Sequence, residues 1–114
     1  MTSSGGERVT LRRGDGSPIK VLVVDDEAVL AEMVSMALRY EGWEITTAVG
    51  GTSALAAART IRPDAVVLDV MLPDMSGLEV LSRLHAQTPE LPVLLLTAKD
   101  AVEDRIAGLA AGGD

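Results

Sequence analysis

VVLDVMLPD, residues 66–74, reads as protein interior with one residue out of place. Val66, Val67, Leu68, Val70, Met71 and Leu72 are apolar, and Asp69 sits among them. An ionised carboxylate in such a run is costly to desolvate unless a partner offsets the lost water. What faces Asp69 therefore decides how the chain is read. A short, mostly β-branched apolar run bounded by turn signals suits a strand buried on both faces. Residues 65–70 predict that strand, with Asp69 near its end. LPDMSG (72–77) predicts the loop that follows, shaped by Pro73 and Gly77.

The same pattern continues outward on both sides. Upstream, IKVLVV (19–24) is a second apolar strand, interrupted by Asp25, Asp26 and Glu27. Leu30, Met33, Val34, Ala37 and Leu38 then recur at helical spacing, and Gly42 suits a helix end. WEITT (43–47) alternates as a strand does, Gly50-Gly51 turns the chain, and TSALAAARTI (52–61) is an alanine-rich helix stopped before Pro63. Downstream, LEVLSRLHAQ (78–87) predicts a helix with Leu78, Leu81 and Leu84 on one side. PVLLLT (92–97) predicts another buried strand, and AVEDRIAGLAAGG (101–113) a helix bearing Val102, Ile106 and Leu109. Residues 1–18, rich in Ser, Gly and charge without a sustained period, are expected to be a flexible tail in which Arg8, Arg12 and Arg13 are solvated.

Strands alternating with helices, most of the strands near-continuous apolar runs, imply an α/β fold: a doubly wound parallel sheet with helices on both faces. The 114 residues suit one domain with an aliphatic core, since Trp43 and Tyr40 are the only aromatics. With 10 basic and 17 acidic residues the net charge is −7, which disfavours direct nucleic-acid binding. There is no cysteine, hence no disulfide or thiolate ligand. No apolar run approaches the roughly 20 residues of a membrane span, and the first residues lack a signal-peptide core. A soluble, cytoplasmic chain without membrane contact is expected.

In a parallel sheet, ligands bind at the carboxyl ends of the strands. Asp25 and Asp26 follow the first strand, Asp69 ends the third, and Thr97, Lys99 and Asp100 follow the fourth. These groups are expected on one edge. Carboxylates brought together repel unless one is protonated or a cation neutralises them. His85 lies in a helix elsewhere and is expected to be exposed. The oxygen-only donor set then selects a hard ion, Mg²⁺ or Mn²⁺. A carboxylate beside such an ion is a competent nucleophile toward a phosphoryl group, giving an aspartyl phosphate that the Thr97 hydroxyl can hydrogen-bond. Gly50-Gly51-Thr52-Ser53 has the glycines of a phosphate cradle but neither the lysine of a P-loop nor the spacing of a dinucleotide site.

VLVVDDE, VVLDVMLPDMSGLEVL and PVLLLTA, in that order, resemble the receiver domain of bacterial two-component response regulators. DRIAGLAAGGD is similar to the OmpR/PhoB-type subgroup, whose receivers precede a winged-helix DNA-binding domain. The resemblance covers about residues 19–114. It implies a flavodoxin-like receiver fold with strand order 2-1-3-4-5. It implies that Asp69 is the phosphoacceptor and Thr97 the switch hydroxyl. Asp25 and Asp26 would be the acidic pair around the metal, Asp26 and Asp69 binding it directly, Asp25 through water, and the Met71 carbonyl completing the protein ligands. The partner would be a sensor histidine kinase that carries the donor histidine. DNA would be reached only through a domain outside this chain. Such a receiver is a switch that catalyses its own phosphorylation only.

The family continues past the final Gly-Gly-Asp with a fifth strand carrying an aromatic residue, a Lys-Pro pair and a fifth helix, whereas this sequence ends at Asp114. An open edge on 92–97 and self-association as a homodimer are therefore expected. Two other readings compete. One is a Mg²⁺-dependent phosphohydrolase of the haloacid-dehalogenase type, which calls for a second Asp two residues after the nucleophile, where this chain has Met71. The other is a receiver fragment that only self-associates.

Overall fold

The architecture was obtained as a computed structural model, which describes residues 12–96. In order, the elements are β1 (Lys20–Val24), α1 (Ala28–Tyr40), β2 (Glu44–Ala48), α2 (Gly51–Ile61), β3 (Ala65–Asp69), α3 (Gly77–Gln87) and β4 (Val93–Leu96). The strands form one parallel sheet in the order β2-β1-β3-β4. That is the expected receiver order as far as these residues carry it. Thr97 and the helix expected at 101–113 lie outside the described residues.

The central strands are buried on both faces. Leu22, Val24, Val66 and Leu68 pack with Ala54 of α2 and with Val80 and Leu84 of α3. On the opposite face Val21, Val23 and Val67 pack with Ala31 of α1. Alternate residues of one strand thus feed two separate clusters, so each must be apolar. Each buried Val or Leu contributes about 1.5–3 kcal/mol of transfer free energy. Registers Val24↔Leu68 and Asp69↔Leu96 bring the strand ends level, so the residues just beyond them share one edge.

Two helices present a different face from the one expected. In α1 the residues against the sheet are Ala31 and Ser35, with Val34 and Leu38 half-buried, while Leu30 and Met33 face outward. Small side chains let the helix approach the sheet closely, and the larger Leu30 and Met33 are left outside. In α3 the buried positions are Gly77, Val80 and Leu84, with Leu81 half-buried, and Leu78 is half exposed. Gly42 does end α1, with φ +90° and its N–H donating to the Arg39 carbonyl. α2 ends at Arg62, held at φ 50° immediately before Pro63.

Residues 12–18, read from the sequence as part of a tail, close a turn. Arg12 and Pro18 form an antiparallel bridge, and the Arg13 N–H donates to the Ser17 carbonyl at 2.9 Å. Arg13 pairs with Asp64 at 3.4 Å, and the other Asp64 oxygen accepts the Lys20 N–H at 2.9 Å. One carboxylate thus anchors both this turn and the start of β1. His85 is half-buried, and its Nε2 donates to the Leu91 carbonyl at 2.8 Å, tying the end of α3 to the approach to β4.

Candidate functional site

Each acid reaches the sheet edge by a separate device. The last hydrogen bond beside β1 runs from the Asp25 N–H to the Ala48 carbonyl at 3.0 Å, so Asp25 leaves the sheet with its side chain still buried, 2% exposed. Its Oδ1 accepts the Glu27 N–H at 2.9 Å, closing the turn into α1. Asp26, within that turn, is exposed. Asp69 is the last residue of β3, and its Oδ1 accepts the Met71 N–H at 3.1 Å.

Asp25, Asp26 and Asp69 each offer a carboxylate oxygen, and these three oxygens lie within 4.8 Å of one another. At such spacing each like-charge pair repels by roughly 1–4 kcal/mol, depending on how much water screens it. The Asp69 carboxyl is pushed above its ordinary value, first by burial and then by the charges of Asp25, Asp26 and Glu27; the Met71 N–H opposes the rise. Oxygen donors of one sign, gathered at a strand end, fit a hard divalent cation that would lower this repulsion. Met71 stands beside Asp69 through its N–H and forms a bridge to Ser76. Thr97, with Lys99 and Asp100, lies outside the described residues.

The loop behind Asp69 returns to the strand at Gly77, whose N–H donates to the Val70 carbonyl at 2.7 Å. A Cβ on Gly77 would lie 2.2 Å from the Asp69 carbonyl oxygen, so helix α3 starts directly against the acid-bearing residue. Ser76 caps that helix, its hydroxyl accepting the Leu78 N–H at 3.1 Å.

Asp74 is the residue that the sequence reading missed. Its carboxylate accepts the Gly51 N–H at 2.8 Å and the Thr52 N–H at 2.9 Å, capping α2 from another part of the chain. Those two bonds pull its carboxyl down to about 2. The anion at the Gly50-Gly51-Thr52-Ser53 turn is therefore the chain's own side chain. One signal pointed this way: a helix opening on Gly-Gly has no capping side chain of its own at that position and needs an acceptor from elsewhere.

Comparison with known proteins agrees with this fold. The family model described as response regulator receiver domain matches residues 21–114. The chain is 78% identical over 104 residues to the probable transcriptional regulatory protein TcrX of Mycobacterium tuberculosis, covering 91% of this chain and 44% of that protein. It is 49% identical over 109 residues to the transcriptional regulatory protein TrcR of the same organism, covering 96% of this chain and 42% of that one. It thus spans less than half the length of either relative. Among solved structures, a putative response regulator from Chloroflexus aurantiacus superposes with a TM-score of 0.72 at 38% identity, over 84% of this chain and 80% of the other. The chemotaxis protein CheY4 of Vibrio cholerae does so at 0.71 and 37%, over 84% and 82%. An acidic cluster at the carboxyl edge of a β2-β1-β3-β4 parallel sheet, matched by sequence over residues 21–114, places this chain in the response regulator receiver domain family.

Proposed function

We propose that the chain is the phosphoacceptor module of a transcriptional regulator, switched by transfer of a phosphoryl group from a sensor histidine kinase to Asp69. The observation that carries this reading is the position of Asp69 at the end of β3, within 4.8 Å of Asp25 and Asp26. Asp26, Asp69 and the Met71 carbonyl would hold Mg²⁺ or Mn²⁺, with Asp25 acting through water. The bound ion supplies charge neutralisation for the acids and for the incoming phosphoryl oxygens.

The protein's own part is to present the nucleophile. Burial and the neighbouring acids leave Asp69 more basic than a free carboxylate, and the Met71 N–H holds one of its oxygens. An Asp69 oxygen forms the new P–O bond as the P–N bond to the donor ring breaks, and that ring, already protonated on its other nitrogen, leaves as neutral imidazole. Thr97 is the hydroxyl that would engage the phosphoryl group and carry the change to the surface.

The descriptions of TcrX and TrcR as transcriptional regulatory proteins suggest a DNA-binding output lying outside this chain. A cytoplasmic location follows from that role, and no helix among the described residues is long and apolar enough to cross a membrane. β4 is the edge of the sheet among the described residues and offers a surface for homodimerisation. The phosphohydrolase reading has little support, since the residue two beyond Asp69 is Met71 and brings no carboxylate.

The test is incubation with acetyl phosphate and Mg²⁺, read by intact mass and by hydroxylamine sensitivity. One acyl phosphate per chain is expected, absent in Asp69→Asn. Equal labelling of the variant would refute the assignment, and steady release of inorganic phosphate over many turnovers would favour a hydrolase.

A further inference from the structure

The loop from Asp69 to Gly77 is closed at its base twice, by the Gly77 N–H donating to the Val70 carbonyl and by the Met71–Ser76 bridge. Its tip, Pro73 to Met75, leans on a different element. Asp74 holds the first two N–H groups of α2, and Met75 packs over Gly51 so tightly that a Cβ there would meet its Cγ at 2.3 Å. A Cβ on Gly50 would come within 2.9 Å of Asp74 Oδ1. A side chain at either glycine would have to push aside Asp74 or Met75, so both glycines lie directly beneath this loop. α2 in turn packs on β1, the strand that delivers Asp25 and Asp26.

From this geometry we infer that Asp74 is a positioning residue for the cation site: by capping α2 from outside, it ties the loop bearing Met71 to the element that supports Asp25 and Asp26. The inference rests on the reading of Asp25, Asp26 and Asp69 as that site. A loop held only at its base can tilt about the Val70–Gly77 and Met71–Ser76 closures and change the angle at which Met71 meets Asp69. A hold at the tip as well restrains that tilt. Outer groups that orient metal ligands typically matter by about 10–100-fold in affinity. Asp74 acts one step further out, through α2 and the loop bearing Met71, and touches neither the ion nor its ligands. Its two bonds are charge-assisted and aimed along a helix axis, the arrangement that favours an anion most. Merely stabilising α2 is the competing explanation, and the two predict different measurements.

The experiment is calorimetric titration of the 114-residue chain with MgCl2, paired with thermal melts in EDTA, for wild type, Asp26→Asn, Asp74→Ala, Asp74→Asn and Gly50→Ala. Asp74→Ala is expected to weaken Mg²⁺ binding by about tenfold. Asp74→Asn keeps an acceptor for one N–H and should fall between it and wild type. Gly50→Ala displaces the same carboxylate without removing it and should weaken binding in the same direction. Asp26→Asn, which removes a proposed ligand, should lose most binding. If Asp74→Ala and Gly50→Ala melt lower in EDTA yet bind Mg²⁺ within twofold of wild type, Asp74 is only a helix cap and the inference is overturned. If wild type and Asp26→Asn are alike in showing no binding, the cation site itself is wrong and the inference falls with it. Because Asp74 is exposed, Asp74→Asn remains informative even if the alanine variant folds poorly.

Discussion

Replacing Gly77 with alanine sets two physical effects against each other. Gly77 is the first residue of α3, and helix propensity alone favours Ala over Gly by up to about 1 kcal/mol. Its φ is not positive, so conformational freedom is not what the position requires. Space is. The new Cβ would sit 2.2 Å from the Asp69 carbonyl oxygen, 2.8 Å from Val70 Cα and 3.0 Å from the Asp69 carbonyl carbon, where ordinary contact begins near 3.4 Å. All three neighbours are backbone, so no rotamer change relieves the overlap. Either the start of α3 or the end of β3 must retreat by about 1 Å, a form of overpacking that costs roughly 1–3 kcal/mol. After a propensity gain of up to about 1 kcal/mol, a net loss of up to about 2 kcal/mol remains. For a domain of this size a loss at the upper end lowers Tm by roughly 10–15 °C. Thermal unfolding followed by circular dichroism in EDTA measures it, with Ser82→Ala on the exposed side of the same helix reporting propensity alone. The retreat also moves Asp69, so Mg²⁺ affinity should fall in the same variant. A Gly77→Ala protein that melts at or above wild type would show that the helix start is not wedged against Asp69, and the argument for how the loop is shaped would fail.

The remaining predictions concern charge and packing. The Asp69 carboxyl is raised above 3.8 in the fold by burial and by its acidic neighbours, so its ionisation opposes folding. Metal-free stability should therefore fall as pH rises from the unfolded value through the folded one, and Asp69→Asn should melt higher than wild type at neutral pH in EDTA but not in acid; equal melts at pH 7 would count against the acidic cluster. Asp74 has the opposite sign. Its carboxyl is lowered from 3.8 to about 2, so its contribution is present above pH 3.8 and lost as pH falls toward 2. Asp74→Asn should flatten the acid-unfolding curve across that interval, and an unchanged slope would mean the two N–H bonds are not formed in solution. Leu68→Ala, at a position with no solvent exposure, should cost about 2–5 kcal/mol in urea unfolding, and a smaller loss would place Leu68 outside the core.

The alternation of apolar runs with helical periods was enough to specify a parallel α/β sheet, because strands buried on both faces must be apolar at every position. It was also enough to place Asp25, Asp26 and Asp69 on one edge, since every strand of such a sheet ends on the same side. These are consequences of local pattern plus one rule of topology. Which stripe of α1 meets the sheet was not local. The helix is apolar over most of its circumference, so Leu30 and Met33 fit the helical period as well as Ala31 and Ser35 do, and only the close approach to β1 and β2 chose the small residues. The same degeneracy hid Val80 behind Leu78 in α3. The pairing of Arg13 with Asp64 and the cap that Asp74 places on α2 were likewise decided in three dimensions. The Asp74 bond joins residues 23 apart in the chain. Periodicity reports which side of an element is buried, but a hydrogen bond between distant loops depends on where two elements come to rest against each other. That placement is set by packing of the whole core.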